Sequence, residues 1–192
     1  MLTRINRLFI SAFLVSVIIT ACGTTPKSST TPAPATEGGE GGIEAALVTY
    51  SDSTKGFAIG HPGTWSQDTS FTQGVKFVGG DDWMTLEFVN PSKSIDIKTY
   101  TQNDVAAVMS AFPGFKQIGN IQSSTEVKNA IILGFNSNGT SAITGKSFIA
   151  HNERYYMLLA DGRLAILTVY GPESHYDREG VRDIALTFHV SK

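Results

Sequence analysis

The chain contains a single cysteine, Cys22, and this residue limits how the protein can fold. Without a second cysteine no disulfide forms within the chain, so a folded domain has to be held by its own hydrophobic core. Cys22 also follows an apolar stretch, residues 8–19, in which Ser11 and Ser16 are the only polar residues. A transmembrane helix needs about 20 apolar residues, so this stretch is too short to span a bilayer comfortably.

The residues before Cys22 have the order of an export signal. Arg4 and Arg7 precede the apolar stretch, and small residues stand directly before the cysteine. An ordinary secretory signal ends at an A-x-A-like site and needs no cysteine, so this order resembles the lipobox of bacterial lipoproteins. The alternative is an uncleaved anchor in which the cysteine stands by chance. The resemblance implies that residues 1–21 are a signal peptide and that Cys22 carries the acyl chains, such as palmitate.

Acylation at Cys22 predicts where the protein works. One buried acyl chain binds a membrane weakly, whereas two or more hold it stably. We therefore expect the mature protein on the extracytoplasmic face of the cell membrane, or in the outer membrane of a Gram-negative organism, with the membrane itself as a partner.

A linker separates the anchor from a single domain. Residues 23–42 contain no bulky apolar side chain and are rich in proline, glycine and threonine, which predicts a flexible spacer. We expect residues 22–44 to form the lipidated cysteine and linker, and residues 45–192 to form one domain of ordinary size. The chain has 15 basic and 17 acidic residues with no basic cluster, so nucleic acid is not expected as a partner.

Most of the domain alternates apolar and polar residues with period two, which predicts β-strands. The predicted strands are residues 75–78, 84–89, 130–135, 142–150, 154–160 and 164–170. Residues 79–82, 136–139 and 161–162 carry the glycine, asparagine and aspartate typical of turns, and predict hairpins between neighbouring strands. The last strand is almost entirely apolar, as expected when both of its faces are buried.

Two segments, residues 100–112 and 174–188, have helical periodicity instead. Thr101 with Asp104, and Ser174 with Asp177, are the predicted caps, and the Pro113-Gly114 pair ends the first helix. The sequence therefore predicts an α+β fold: a mainly antiparallel β-sheet with packed helices.

The opening of the domain combines Tyr50 and Asp52 with Gly56-Phe57-x-Ile59, Pro62 and Trp65. It resembles the start of PsbP-like domains, the family of the photosystem II extrinsic protein and its bacterial lipoprotein relatives. Residues 167–172 and the final helix are also similar to that family, so the resemblance covers residues 47–192. It implies an α/β/α sandwich and a noncatalytic accessory or binding function, with a membrane protein complex or a small ligand as the partner.

An enzyme is the alternative, in the form of a small extracytoplasmic hydrolase whose site is assembled from distant residues. Nucleophilic catalysis needs a serine or cysteine beside a histidine, and no serine lies in a G-x-S-x-G turn. The four histidines are not spaced as a metal pair, and we predict neither a metal nor a cofactor; a surface zinc or calcium contact from Asp81, Asp82 and a nearby histidine is the alternative. The histidines are His61, His151, His175 and His189.

The candidate contacts for a ligand or partner are Trp65, Asp81, Asp82 and His61. For Trp65 we favour a buried structural role, because packing of its large ring in the core is enough to account for the motif around it. Asp81 and Asp82 lie on a glycine-rich turn, where solvated carboxylates are the simplest interpretation.

Overall fold

The computed structural model describes residues 43, 45–90 and 94–191. The predicted signal peptide, Cys22 and the predicted linker apart from Ile43 lie outside these residues. Within the described part of the chain, no helix is both long enough and apolar enough to cross a membrane.

The described residues form two antiparallel sheets. The smaller sheet has the order β1-β2-β10, and the larger has the order β3-β4-β5-β9-β8-β7-β6. The strands are β1 Leu47–Asp52, β2 Phe57–Pro62, β3 Ser66–Gln67, β4 Gly74–Gly79, β5 Asp82–Val89, β6 Lys116–Ser123, β7 Ala130–Thr140, β8 Ser147–Leu158, β9 Leu164–Pro172 and β10 His189–Val190. At one edge of the large sheet, the pairing of β6 with β7 shifts register between Ile118 and Gln122.

Two α-helices cover the large sheet from opposite sides. Helix α1, Ile97–Ala111, packs Val108 against Leu133, Phe135 and other apolar side chains of one face. Helix α2, Arg178–Thr187, and the small sheet pack on the other face, where β4, β5, β8 and β9 contribute the main core. The predicted α+β fold, an antiparallel sheet sandwiched by helices, is therefore confirmed.

The predicted turn at residues 136–139 is wrong. Strand β7 runs through these residues without a break and pairs with β8 over its whole length, which satisfies the backbone groups that a turn would leave free. The chain reverses at residues 141–146, where the Ser141 hydroxyl accepts hydrogen bonds from the backbone N–H groups of Ile143 and Thr144. Strand β8 likewise continues across residues 151–153, which the sequence analysis left between two strands.

Both helices begin elsewhere than predicted. Asp96 caps α1 by accepting from the Lys98 N–H at 3.1 Å, whereas Thr101 lies inside the helix and donates to the Ile97 carbonyl. Ser174 lies in a short 3-10 helix, Glu173–His175, so α2 begins later. Its predicted cap residue Asp177 is confirmed, since its carboxylate accepts from the Glu179 N–H at 2.9 Å.

Candidate functional site

A polar row crosses the face of the large sheet that α1 only partly covers. The antiparallel register places Lys76, Thr85, Thr168 and Arg154 side by side on four successive strands, β4, β5, β9 and β8. Thr85 and Thr168 are buried, while the two basic side chains are half-buried. Because alternate residues of a strand share a face, this row continues into Trp83 and Tyr170, which are directly opposite each other in the register.

A groove of about 380 Å³ lies between this surface and α1. It is within the size range of small-ligand pockets. Ala107 and Ala111 of α1 leave room on the helix side, because both are small. The groove is lined by Phe71, Lys76, Trp83, Thr85, Glu87, Asp104, Ala107, Val108, Ala111, Phe112, Arg154 and Thr168.

Arg154 holds one wall of the groove in place. Its guanidinium donates to the Thr168 hydroxyl at 2.7 Å and to the Tyr156 hydroxyl at 3.1 Å, and it pairs with the Asp104 carboxylate at 3.3 Å. Tyr156 in turn donates to Asp104 at 2.8 Å. Burial raises the pKa of Tyr156, against the nearby charge of Arg154, so the hydroxyl keeps its proton for this bond. The network joins α1 to strands β8 and β9 and fixes the position of the polar side chains on this wall of the groove.

Aromatic side chains form the opposite wall. Trp83 stacks on Tyr170 with ring centroids 4.8 Å apart and an angle of 12° between the planes, and Phe112, the residue that directly follows α1, lies 6.3 Å from the Trp83 ring. The Lys76 ammonium lies 5.9 Å from the Trp83 ring centre and pairs with Asp68 at 3.1 Å. The groove thus joins apolar walls with a few oriented polar groups, which is the usual composition of a ligand site.

Asp82 is not solvated, in contrast to the sequence-based interpretation. Its side chain is 4% exposed, and Oδ2 lies 3.5 Å from Nε2 of His175. Burial raises the pKa of Asp82 to about 6, although the His175 charge opposes this shift. The other oxygen, Oδ1, is buried and has no hydrogen-bond partner within the described ranges.

His175 lies between the Ser174 hydroxyl and the Asp82 carboxylate, which is the spatial order of a catalytic nucleophile, base and acid. The Ser174 hydroxyl oxygen lies 3.4 Å from Nδ1 of His175, on the other side of the ring from Asp82. Both contacts are longer than good hydrogen bonds, Ser174 and His175 are chain neighbours, and neither lines the groove. The arrangement is a weak catalytic geometry on an exposed turn.

The remaining candidate contacts have structural positions. Trp65 is 4% exposed within the main core, and a Cβ at Gly79 would overlap its ring. The His61 ring stacks on Phe77 at 3.8 Å, and burial lowers its pKa. Asp81 accepts a hydrogen bond from the Ala142 N–H at 2.9 Å. None of these residues lines the groove.

A second cavity, of about 310 Å³, lies beside α2 and the β6–β7 connection. Its charged side chains pair with one another: Arg182 lies 3.1 Å from Glu126, and Arg178 lies 3.7 Å from Glu153. The Tyr155 hydroxyl also donates to Glu153 at 2.8 Å. This set of contacts ties α2 to the sheet.

The groove is not visible in the sequence pattern. Its one available signal was the alternation in β5, where Trp83, Thr85 and Glu87 share the face opposite to Met84 and Leu86. That pattern identifies the less buried side of one strand. It does not tell which residues of β4, β8 and β9 stand beside them, because this depends on the register.

No protein-family model matches the chain, and no curated protein matches it in sequence. Among solved structures, the chain is similar to the Ran-binding protein Mog1p of Saccharomyces cerevisiae, with a TM-score of 0.53 and 6% identity over 77% of this chain and 96% of that one. It is also similar to LpqN, involved in cell envelope biogenesis of Mycobacterium tuberculosis, with a TM-score of 0.47 and 10% identity over 78% and 86% of the two chains. The likeness to Mog1p, which has the Mog1/PsbP-like fold, supports the PsbP-like fold expected from the opening motif.

Proposed function

We propose that this chain is a lipid-anchored, extracytoplasmic binding protein without catalytic activity, and that the groove between α1 and the large sheet is its binding site. One observation carries the proposal: the groove has aromatic walls and preset polar groups, yet its lining contains no serine, cysteine or histidine. Such a site can hold a ligand, and it lacks the Ser–His and Cys–His pairs in which a histidine activates the nucleophile.

The size of the groove favours a small ligand, or one side chain of a partner protein, over a large flat interface. A volume of about 380 Å³ accommodates a small organic molecule, with the apolar part against Trp83 and Phe112 and the polar part on the row of the sheet. The Ran-binding protein Mog1p has the same fold, which is consistent with a fold used for binding.

The proposal is tested by filling the groove from the helix side. Ala107→Trp places a large ring in the groove, whereas Ala106→Trp adds the same ring to an exposed position of α1 outside the lining. A screen of aromatic and amphipathic fragments by ligand-observed NMR should identify fragments that bind the original protein and the Ala106→Trp variant with similar affinity. The same fragments should bind Ala107→Trp at least about tenfold more weakly.

If no fragment distinguishes the two tryptophan variants, the groove is not the binding site. The hydrolase alternative has its own signature, because it depends on Ser174, His175 and Asp82. Hydrolysis of p-nitrophenyl acetate that disappears in Ser174→Ala would favour that alternative, and we expect no such activity.

A further inference from the structure

We propose that the groove selects an organic ammonium ion that carries an apolar body. This inference rests on the proposed function, since it names the chemical class of the ligand for the same site. Its basis is Glu87, a carboxylate that lines the groove and has no counter-ion among the residues that the structure describes.

The large sheet gives Glu87 no charged neighbour in its own row. In the register, Glu87 of β5 is opposite Gly74 of β4 on one side and Ile166 of β9 on the other. Gly74 has no side chain, and a Cβ there would overlap the carbonyl oxygen of Leu86, so the close approach of the two strands requires glycine. Strand β4 therefore presents no side chain opposite Glu87.

The nearby cations already have other carboxylates. Lys76, diagonal to Glu87 in the register, points to Asp68 at 3.1 Å, and Arg154 pairs with Asp104 at 3.3 Å. On the far side of Gly74, the ammonium of Lys55 lies 3.4 Å from the Gly74 carbonyl oxygen and 4.0 Å from Asp52. Glu87 has neither an ion pair nor a side-chain hydrogen bond among the residues that the structure describes.

Within the described part of the chain, the Glu87 charge in the groove therefore has no counter-ion. A ligand cation placed beside this carboxylate gains a charge–charge contact that no described side chain provides. The two basic groups of the lining, Lys76 and Arg154, already have carboxylate partners, whereas Glu87 has none among the described residues. This difference favours a positively charged ligand over an anion.

The aromatic wall extends this selection to the uncharged part of the ligand. Trp83, Phe71 and Phe112 line the same groove. An alkyl or aryl group attached to the ammonium buries apolar surface against these rings. An inorganic cation such as sodium would use only the carboxylate.

Three probes of matched shape separate charge from apolar contact: 2-phenylethylammonium, the neutral 2-phenylethanol and the anionic phenylacetate. Binding to the full-length protein is measured by isothermal titration calorimetry. We expect the ammonium probe to bind about tenfold more tightly than the alcohol, and phenylacetate to bind most weakly.

The variant Glu87→Gln should lower the affinity for the ammonium probe about tenfold and leave that for the alcohol unchanged. Glu179→Gln, the same change at an exposed position of α2, is the control and should retain the preference for the ammonium probe.

Equal affinity for the ammonium probe and the alcohol, or a preference that survives Glu87→Gln, overturns the ammonium proposal and leaves the groove as a binding site. Binding of none of the three probes also overturns it, and the comparison of Ala107→Trp with Ala106→Trp then decides separately whether the groove binds a ligand.

Discussion

Trp65 and Trp83 are the two tryptophans of the chain, and their surroundings differ at the scale of single residues. Trp65 is buried in the main core against Gly79, whereas Trp83 is half-buried in the groove. Both follow glycine- or proline-containing turns, so their local sequence alone does not separate a core ring from a ligand-site ring.

We expect Trp65→Ala to lower the free energy of unfolding by about 3–5 kcal/mol, because the ring is enclosed and its removal leaves a cavity. Denaturant unfolding followed by circular dichroism measures the change. A loss of under about 0.5 kcal/mol, typical of an exposed residue, would contradict the buried role and return Trp65 to the candidate contacts.

Asp82 makes stability depend on pH. Its pKa is raised from 3.8 to about 6 by burial, so between these values the folded state binds more protons than the unfolded state. Its contribution to stability is therefore present below about pH 4 and is lost as the pH rises through 6, where the buried group must ionise. The charges that face it, Asp81 and His175, modify this trend in opposite directions.

We expect Asp82→Asn to remove this component, because the amide stays neutral. Relative to its value at pH 4, the free energy of unfolding of the original protein should fall by about 2 kcal/mol more than that of the variant by pH 7. Urea unfolding of both proteins at pH 4, 5, 6 and 7 tests this, and the difference between them cancels the other carboxyl groups. Parallel pH curves for the two proteins would disprove the prediction.

At the scale of elements, sequence periodicity predicted the strands around the β4–β5 and β8–β9 hairpins and the existence of both helices. These elements are set by local chemistry: glycine turns at Gly80 and Gly162, both with positive φ, and an amphipathic repeat in each helix. The prediction of a turn at residues 136–139 was wrong, because asparagine, serine and glycine also occur inside strands, and here the pairing of β7 with β8 keeps the chain extended. Tertiary pairing overrode a local turn signal there.

The groove depends on which strands pair and in what register, and the periodicity of a single strand does not report this. Lys76, Thr85, Thr168 and Arg154 lie on four strands far apart in sequence, and only the register aligns them. Asp82 and His175 show the same limit, since the 3-10 helix after β9 brings the histidine to the carboxylate. The candidate contacts were predicted from short sequence motifs. The clearest of these motifs surrounds Trp65, and the structure explains it by packing of the core.

At the scale of the whole molecule, the attachment of the domain to a membrane is a prediction from the first 22 residues. We expect the original protein to enter the detergent-rich phase in Triton X-114 partitioning of expressing bacteria and Cys22→Ala to enter the aqueous phase, because the variant lacks the acyl chains. Ser28→Ala, a small change in the predicted linker, serves as the control. Partitioning of Cys22→Ala with the original protein would show that the cysteine is not the anchor.

The two edges of the large sheet bear on how densely such a protein can be displayed. One edge ends in β3, which is two residues long, and the other in β6, whose register shift and polar, mostly exposed side chains interrupt a regular row of backbone groups. Molecules confined to a surface meet far more often than molecules in solution, and unprotected edge strands on them would pair between molecules and cause aggregation. The irregular edges disfavour strand pairing between neighbouring copies, and under the membrane anchoring and groove binding that we propose, this would leave each groove accessible in a crowded membrane.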